Sequence, residues 1–151
     1  MIELATTVIL TVGSAGLFVY WFRYTCLLIL SAKTTRDYAG EVATANQLSF
    51  LEVQSQLRNV GTPELDRLAA SLERDYSVLT YLLKNASQVS DEESPIEARM
   101  LQMNYRLMSG WYRVSSRFSA EMGRKALEEM STVVAHFANV MGERASCGAA
   151  A

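Results

Sequence analysis

Apolar residues run almost without interruption from Ile2 to Phe22, and Glu3 is the one charge among them. A helix over this stretch rises about 31 Å, matching a hydrocarbon core of about 30 Å. The pattern predicts a transmembrane anchor over residues 1–25. Two other segment types share this appearance. A cleaved signal peptide opens on basic residues and ends at a small-residue site. Here Met1-Ile2-Glu3 carries no Lys or Arg, and Leu30-Ser31-Ala32 is a marginal cleavage site. A core helix of this length is out of scale for so small a domain.

No proline breaks the chain before Pro63, so the anchor is expected to continue as a juxtamembrane helix over 26–48, with Tyr38, Val42 and Ala45 near one face. Ser49-Phe50-Leu51-Glu52 has the form of a capping box and predicts a new, short helix ending near Val60, with Gly61 as its stop. Thr62-Pro63-Glu64 is a stronger start, joining N-cap, proline and first-turn acid. Leu65, Leu68, Leu72, Tyr76, Leu79 and Leu83 then recur at three- and four-residue steps, a core stripe on a helix running to about Ala86.

Ser87 to Ser94 is a polar linker, and Ser94-Pro95-Ile96-Glu97 opens the next helix. Its apolar stripe is Ile96, Met100, Met103, Leu107, Trp111, Val114 and Phe118, which is expected to face inward. Ser119 marks either a cap or a weak point inside one long helix, with Met122, Leu127, Met130, Val133, Val134, Phe137 and Met141 inward beyond it. Residues 145–151 are small and read as a disordered tail. The expected fold is all-α: one N-terminal transmembrane helix continuing into an antiparallel bundle of about four helices over 49–144.

The flanks give the anchor a direction. Phe18, Tyr20, Trp21, Phe22 and Tyr24 form an aromatic collar suited to the headgroup level, and Arg23 within it can snorkel to phosphates. Lys33 and Arg36 follow on the same side, so the positive-inside rule places the N-terminus outside and the C-terminal domain in the cytoplasm. A short chain with no other address signal points to a bacterial inner membrane. Thr7, Thr11 and Ala15 recur every four residues, a small face that lets another helix approach closely in lipid.

Composition narrows function by exclusion. Lys and Arg total 14 against 16 Asp and Glu, which argues against nucleic acid as a partner. The cysteines, Cys26 and Cys147, lie near opposite ends of the chain, with no metal-ligand spacing; Cys26 reads as a buried thiol or a palmitoylation site. His136 is the one histidine, in the apolar run Val133 to Ala138. It reads as a bundle-edge residue, with a phosphoacceptor or a metal or haem ligand as the alternatives. Val133 stands where a di-iron Glu-x-x-His pair needs Glu. Asn85-Ala86-Ser87 matches a glycosylation acceptor that a cytoplasmic domain never presents to the machinery.

Two features suggest binding. Arg99, Arg106, Arg113 and Arg117 line one helix face, fit either for acidic headgroups or an acidic helix, or for ordinary pairing with neighbouring acids. Six of the seven methionines fall in the last third, as core filler or as the lining of an adaptable groove. The expectation is a non-catalytic adaptor, scaffold or accessory subunit that contacts membrane lipid and a protein partner or its own copies. It has no cofactor and no small-molecule substrate. A sensory relay, which needs an unbroken helix from Phe22 to Gln47, and a cofactor bundle with His136 as ligand are the alternatives.

Overall fold

A computed structural model describes residues 1–32, 36–59, 64–89 and 96–149. Every regular element among them is a helix: α1 (Ile2–Ser31), α2 (Ala39–Asn46), α3 (Phe50–Arg58), α4 (Leu65–Val89), α5 (Ile96–Ser115) and α6 (Ala120–Ala149). They fall into two units, 1–32 and 33–151.

The first unit is α1. Its 30 residues rise about 45 Å, and it is long and apolar enough to cross a membrane. Four of its threonine hydroxyls are satisfied within the helix. The hydroxyls of Thr6, Thr7, Thr11 and Thr25 donate to the carbonyls four residues back at 2.8–2.9 Å. That removes the cost of bringing a free hydroxyl into hydrocarbon. The helix does not continue to Gln47 as the sequence suggested. It ends at Ser31, and Ala32 turns extended at φ −62° and ψ 117°. Propensity alone favours continuation here, but no tertiary contact of α1 is needed to stop it: the apolar run ends at Leu30 and Asp37 caps the next helix, accepting from the Ala39 amide at 3.0 Å.

The second unit is built around α6, which packs against α2, α3, α4 and α5. Ala126, Leu127, Met130, Val133, Val134, Phe137 and Ala138 are buried along it. The partners can be followed by named contacts. The Tyr38 amide donates to Asn139 Oδ1 at 2.8 Å, and Gln54 Nε2 donates to the Ser131 carbonyl at 3.4 Å. Arg124 Nη2 donates to the carbonyls of Leu57 and Asn59, satisfying the end of α3. Positions rising through α2 and α3 therefore meet positions falling through α6. Between α2 and α3 the chain turns at Gln47, in the left-handed region at φ 53°. At the α2 crossing, Gly142 lets Tyr38 sit directly on the α6 backbone; a Cβ there would clash with Tyr38 Cβ and lie 2.8 Å from its Cγ.

Ser49 opens α3 as expected, but not through a capping box. Its amide and its hydroxyl both donate to Asp75 Oδ2 of α4, at 2.7 and 3.3 Å, and no side-chain cap bond forms within α3. A buried carboxylate from another helix thus caps α3. The α4 stripe is inward as predicted from Leu68 to Leu83. The stretch 96–144 is two helices, parted at Ser116–Ser119. The expected disordered tail is instead helical through Ala149, with no break in α6 before it. The expected starts at Thr62-Pro63 and Ser94-Pro95, and the stop at Gly61, lie outside the described residues.

Candidate functional site

The departure from expectation that matters most is in α5. Its most apolar stripe faces out. Ile96 is 76 % and Phe118 82 % exposed, while Met103, Leu107, Trp111 and Val114 lie between 50 % and 52 %. The buried seam is Leu101, Tyr105, Tyr112 and Ser115, joined by Asn104. All of these seam positions except Tyr105 are stripe positions moved on by one residue, so α5 is turned about 100° from the orientation hydropathy favours.

Hydrogen bonding explains the turn. Tyr112 Oη donates to Asp66 Oδ1 at 2.7 Å and Tyr105 Oη to Glu73 Oε2 at 3.4 Å. Asp66 and Glu73 are seven residues apart on α4, and Tyr105 and Tyr112 seven apart on α5, so two matched pairs form when the helices run in opposite directions. Asn104 Nδ2 donates to Glu129 Oε1 at 2.9 Å. The Tyr105 ring stacks on Tyr76 with centroids 3.8 Å apart. Burial pushes the Tyr105 and Tyr112 phenols well above their ordinary range, and the carboxylates that accept from them push further the same way. Both are neutral donors at any physiological pH.

These tyrosines bridge a gap. Among the described residues no Cα of α4 lies within 8 Å of one in α5. Between the two helices, over α6, runs a groove of about 960 Å³. Tyr76, Leu83, Tyr105 and Phe137 are the buried residues in its lining. Lys84, Arg99, Arg106, Arg113 and Arg144 line it, against the two acids Glu73 and Glu97. The surplus is three positive charges, in a chain whose formal net charge is −2. Arg106 bonds the Tyr76 hydroxyl and opposes the upward push that burial gives that phenol. Among the described residues, Arg99, Arg106 and Arg113 form no ion pair, whereas Arg124 pairs with Glu128 and Lys125 with Glu121 elsewhere on the surface. Arg117 lines a second, smaller groove with Glu64 and Asp66, and Arg113 borders both grooves.

His136 is half-buried in the wall of the larger groove. Burial pushes its pKa below the ordinary value, partly offset by the Glu97 carboxylate. No group of three or more His, Cys, Asp and Glu side chains able to hold a metal ion occurs among the described residues. The methionines divide: Met130 is buried, whereas Met103 and Met122 are exposed.

On α1, Phe18, Tyr20, Trp21 and Tyr24 are exposed, and the collar is continuous. Phe18 meets Phe22 and Tyr20 meets Tyr24 at 6.4 Å between centroids, with Trp21 edge-on to Tyr24 at 5.9 Å. Thr7, Thr11 and Ala15 are exposed along one side, and a Cβ on neighbouring Gly13 or Gly16 would meet nothing within 4 Å. Cys26 is buried and Cys147 exposed, and neither is in a disulfide.

Comparison with family models, with curated proteins and with solved structures finds no match to this chain.

Proposed function

We propose that this chain is a single-pass membrane-anchored adaptor without catalysis of its own, and that the outer ridge of α5 docks an amphipathic, acid-flanked helix of a partner protein. The reading of the second unit that goes with it is an antiparallel four-strut bundle, with α2 and α3 as one broken strut beside α4, α5 and α6.

The exposed α5 ridge carries the proposal. Six apolar side chains at least half exposed leave on the order of 700 Å² of surface, using typical large side-chain areas. The largest patch on an ordinary monomer is about 300–600 Å², and one side of a standard interface about 800 Å². The three- and four-residue spacing suits a helix laid along it. Charge selects the occupant. Arg99, Arg106, Arg113 and Arg117 flank the ridge, with Glu97 the one acid on α5. A second α5 would set arginine against arginine, whereas an acidic helix complements them. The relay alternative loses support because α1 ends at Ser31 and its lever is interrupted.

The test is a photo-crosslinker placed at Leu107 or Trp111 in cells, with Arg74 as the control position, followed by intact-mass measurement of the detergent-extracted complex. The expected result is a stoichiometric heteromer, crosslinked from the ridge to one partner helix with acids beside its apolar seam, and lost in Trp111→Glu. A doubled mass with ridge-to-ridge crosslinks, crosslinks to lipid alone, or a clean monomer at every concentration would each overturn it. Topology is checked through Cys147: a membrane-impermeant thiol reagent should miss it in whole cells and label it in inverted vesicles.

A further inference from the structure

The groove between α4 and α5 shares Arg99, Arg106 and Arg113 with the flank of the ridge, but the adaptor reading does not account for its walls from α4 and α6. We propose that this groove binds phosphate groups in an extended array, either a soluble linear polyphosphate or the headgroups of anionic phospholipid.

Three observations converge on that chemistry. First, the donors come from all three helices that wall the groove: Lys84 from α4, Arg99, Arg106 and Arg113 from α5, and Arg144 from α6. A single carboxylate is satisfied by one guanidinium fork, whereas a phosphate has oxygens on several sides and accepts from several cations at once. Second, Arg99, Arg106 and Arg113 recur every seven residues, about 10.5 Å apart along the helix, so the positive charge is spread along the groove. Third, these guanidinia lack carboxylate partners among the described residues, although Glu73 and Glu97 line the same groove. Glu73 is engaged instead by the Tyr105 hydroxyl. Arg106 is held by the Tyr76 hydroxyl, which uses one of its five N–H donors and leaves the others for a ligand. The volume of about 960 Å³ is that of a ligand-sized cleft.

The experiment uses the full chain in phosphatidylcholine nanodiscs at about 0.15 M salt, where diffuse surface attraction is screened. One arm titrates sodium tripolyphosphate by calorimetry. The other adds phosphatidylglycerol to the nanodiscs and measures lipid retained on the protein by native mass spectrometry. At least one probe should bind, and Arg99→Gln/Arg106→Gln/Arg144→Gln should weaken it by at least about tenfold. The control Arg74→Gln/Lys125→Gln, two cations outside the groove, should change it by less than about twofold. The Arg99→Lys/Arg106→Lys/Arg144→Lys variant keeps the charge and should recover part of the binding, separating a binding role from a folding one. Tripolyphosphate binding marks a soluble ligand, and retention of phosphatidylglycerol alone marks headgroups. Failure of both probes with the unmodified chain, or equal loss in the groove and control variants, overturns the proposal. Trp111→Glu should leave groove binding unchanged, so the fate of the ridge reading and that of the groove are decided separately.

Discussion

Leu101 and Leu107 lie on the same helix, six residues apart, and hydropathy assigns Leu107 to the core. The structure assigns Leu101 to it. Leu101 has no exposed surface and Leu107 is 50 % exposed. Truncating a fully buried leucine to alanine costs about 2–5 kcal/mol, the transfer term plus whatever cavity the site cannot close. At Leu107 half of the side chain is already in water. Full burial of a leucine is worth about 1.5–3 kcal/mol, so at most about 1.5 kcal/mol is at stake there. Alanine's slightly better helix propensity offsets part of that. For a folded unit of this size each kcal/mol moves the melting point by roughly 4 °C. Leu101→Ala should therefore lower it by about 8 °C or more and Leu107→Ala by no more than about 6 °C. Circular dichroism melts of the purified full chain in one mild detergent provide the comparison, with the α1 signal common to both variants. Equal losses, or the larger loss at Leu107, would mean that α5 turns its hydropathic stripe inward, and the exposed ridge would not exist.

Three further outcomes follow from particular contacts. Asp75→Ala leaves the Ser49 amide without its acceptor and should cost about 1–3 kcal/mol in chemical denaturation, with Asp75→Asn retaining part of the bond. Gly142→Ala drives a methyl into Tyr38 where α2 crosses α6, so it should destabilise by about 1–3 kcal/mol despite alanine's better propensity, and Tyr38→Ala in the same chain should relieve much of the penalty. His136 has its pKa lowered in the fold, so the unfolded chain takes up the proton first; the stability from its neutral form is complete above about pH 6.5 and is lost as pH falls through that value. His136→Gln should therefore flatten the stability profile between about pH 7 and 5 relative to the unmodified chain.

The helices were legible where one pattern had no rival. The α4 leucines and the α6 run from Leu127 to Phe137 offer a single apolar face each, and those faces are buried. In α5 two faces compete one residue apart, and a hydropathy reading ranks Leu, Met, Val and Trp above Tyr and Asn. What decides is pairing across the gap: Asp66 and Glu73 on one helix, Tyr112 and Tyr105 on the other, both pairs seven apart. That spacing is present in the sequence, but it has meaning only once α4 and α5 are known to face each other. The same holds for Asp75, whose role depends on Ser49 arriving beside it, and for Gly142, which a sequence alone reads as an ordinary weak helix former. The arginine stripe was visible as a stripe. The groove it lines was not, because the Lys84 and Arg144 that complete it come from α4 and α6. The break after Ser31 escaped for the opposite reason, since nothing in the local sequence forbids a longer helix.

The two faces of α5 bear on each other. A helix free to roll about its axis would bury its more apolar stripe, because each large side chain taken out of water is worth about 1.5–3 kcal/mol and a tyrosine hydrogen bond only about 1. The observed orientation keeps Leu107, Trp111, Val114 and Phe118 in solvent and commits Tyr105 and Tyr112 to the interior. It also places Arg99, Arg106 and Arg113, all three exposed, along the wall of the groove. Rolling α5 by one residue would carry the ridge into the core and the arginines off the groove wall together. The tyrosine–carboxylate pairs therefore act as a rotational lock, holding in place both surfaces that a stability-only sequence would give up. Locally unfavourable choices of this kind concentrate where a protein meets its ligands. Replacing both tyrosines by phenylalanine removes the lock while keeping the rings. On this argument Tyr105→Phe/Tyr112→Phe should weaken ridge crosslinking and groove binding in parallel, with a smaller loss of stability than Leu101→Ala. Loss of one activity with the other intact would show that the two surfaces are set independently.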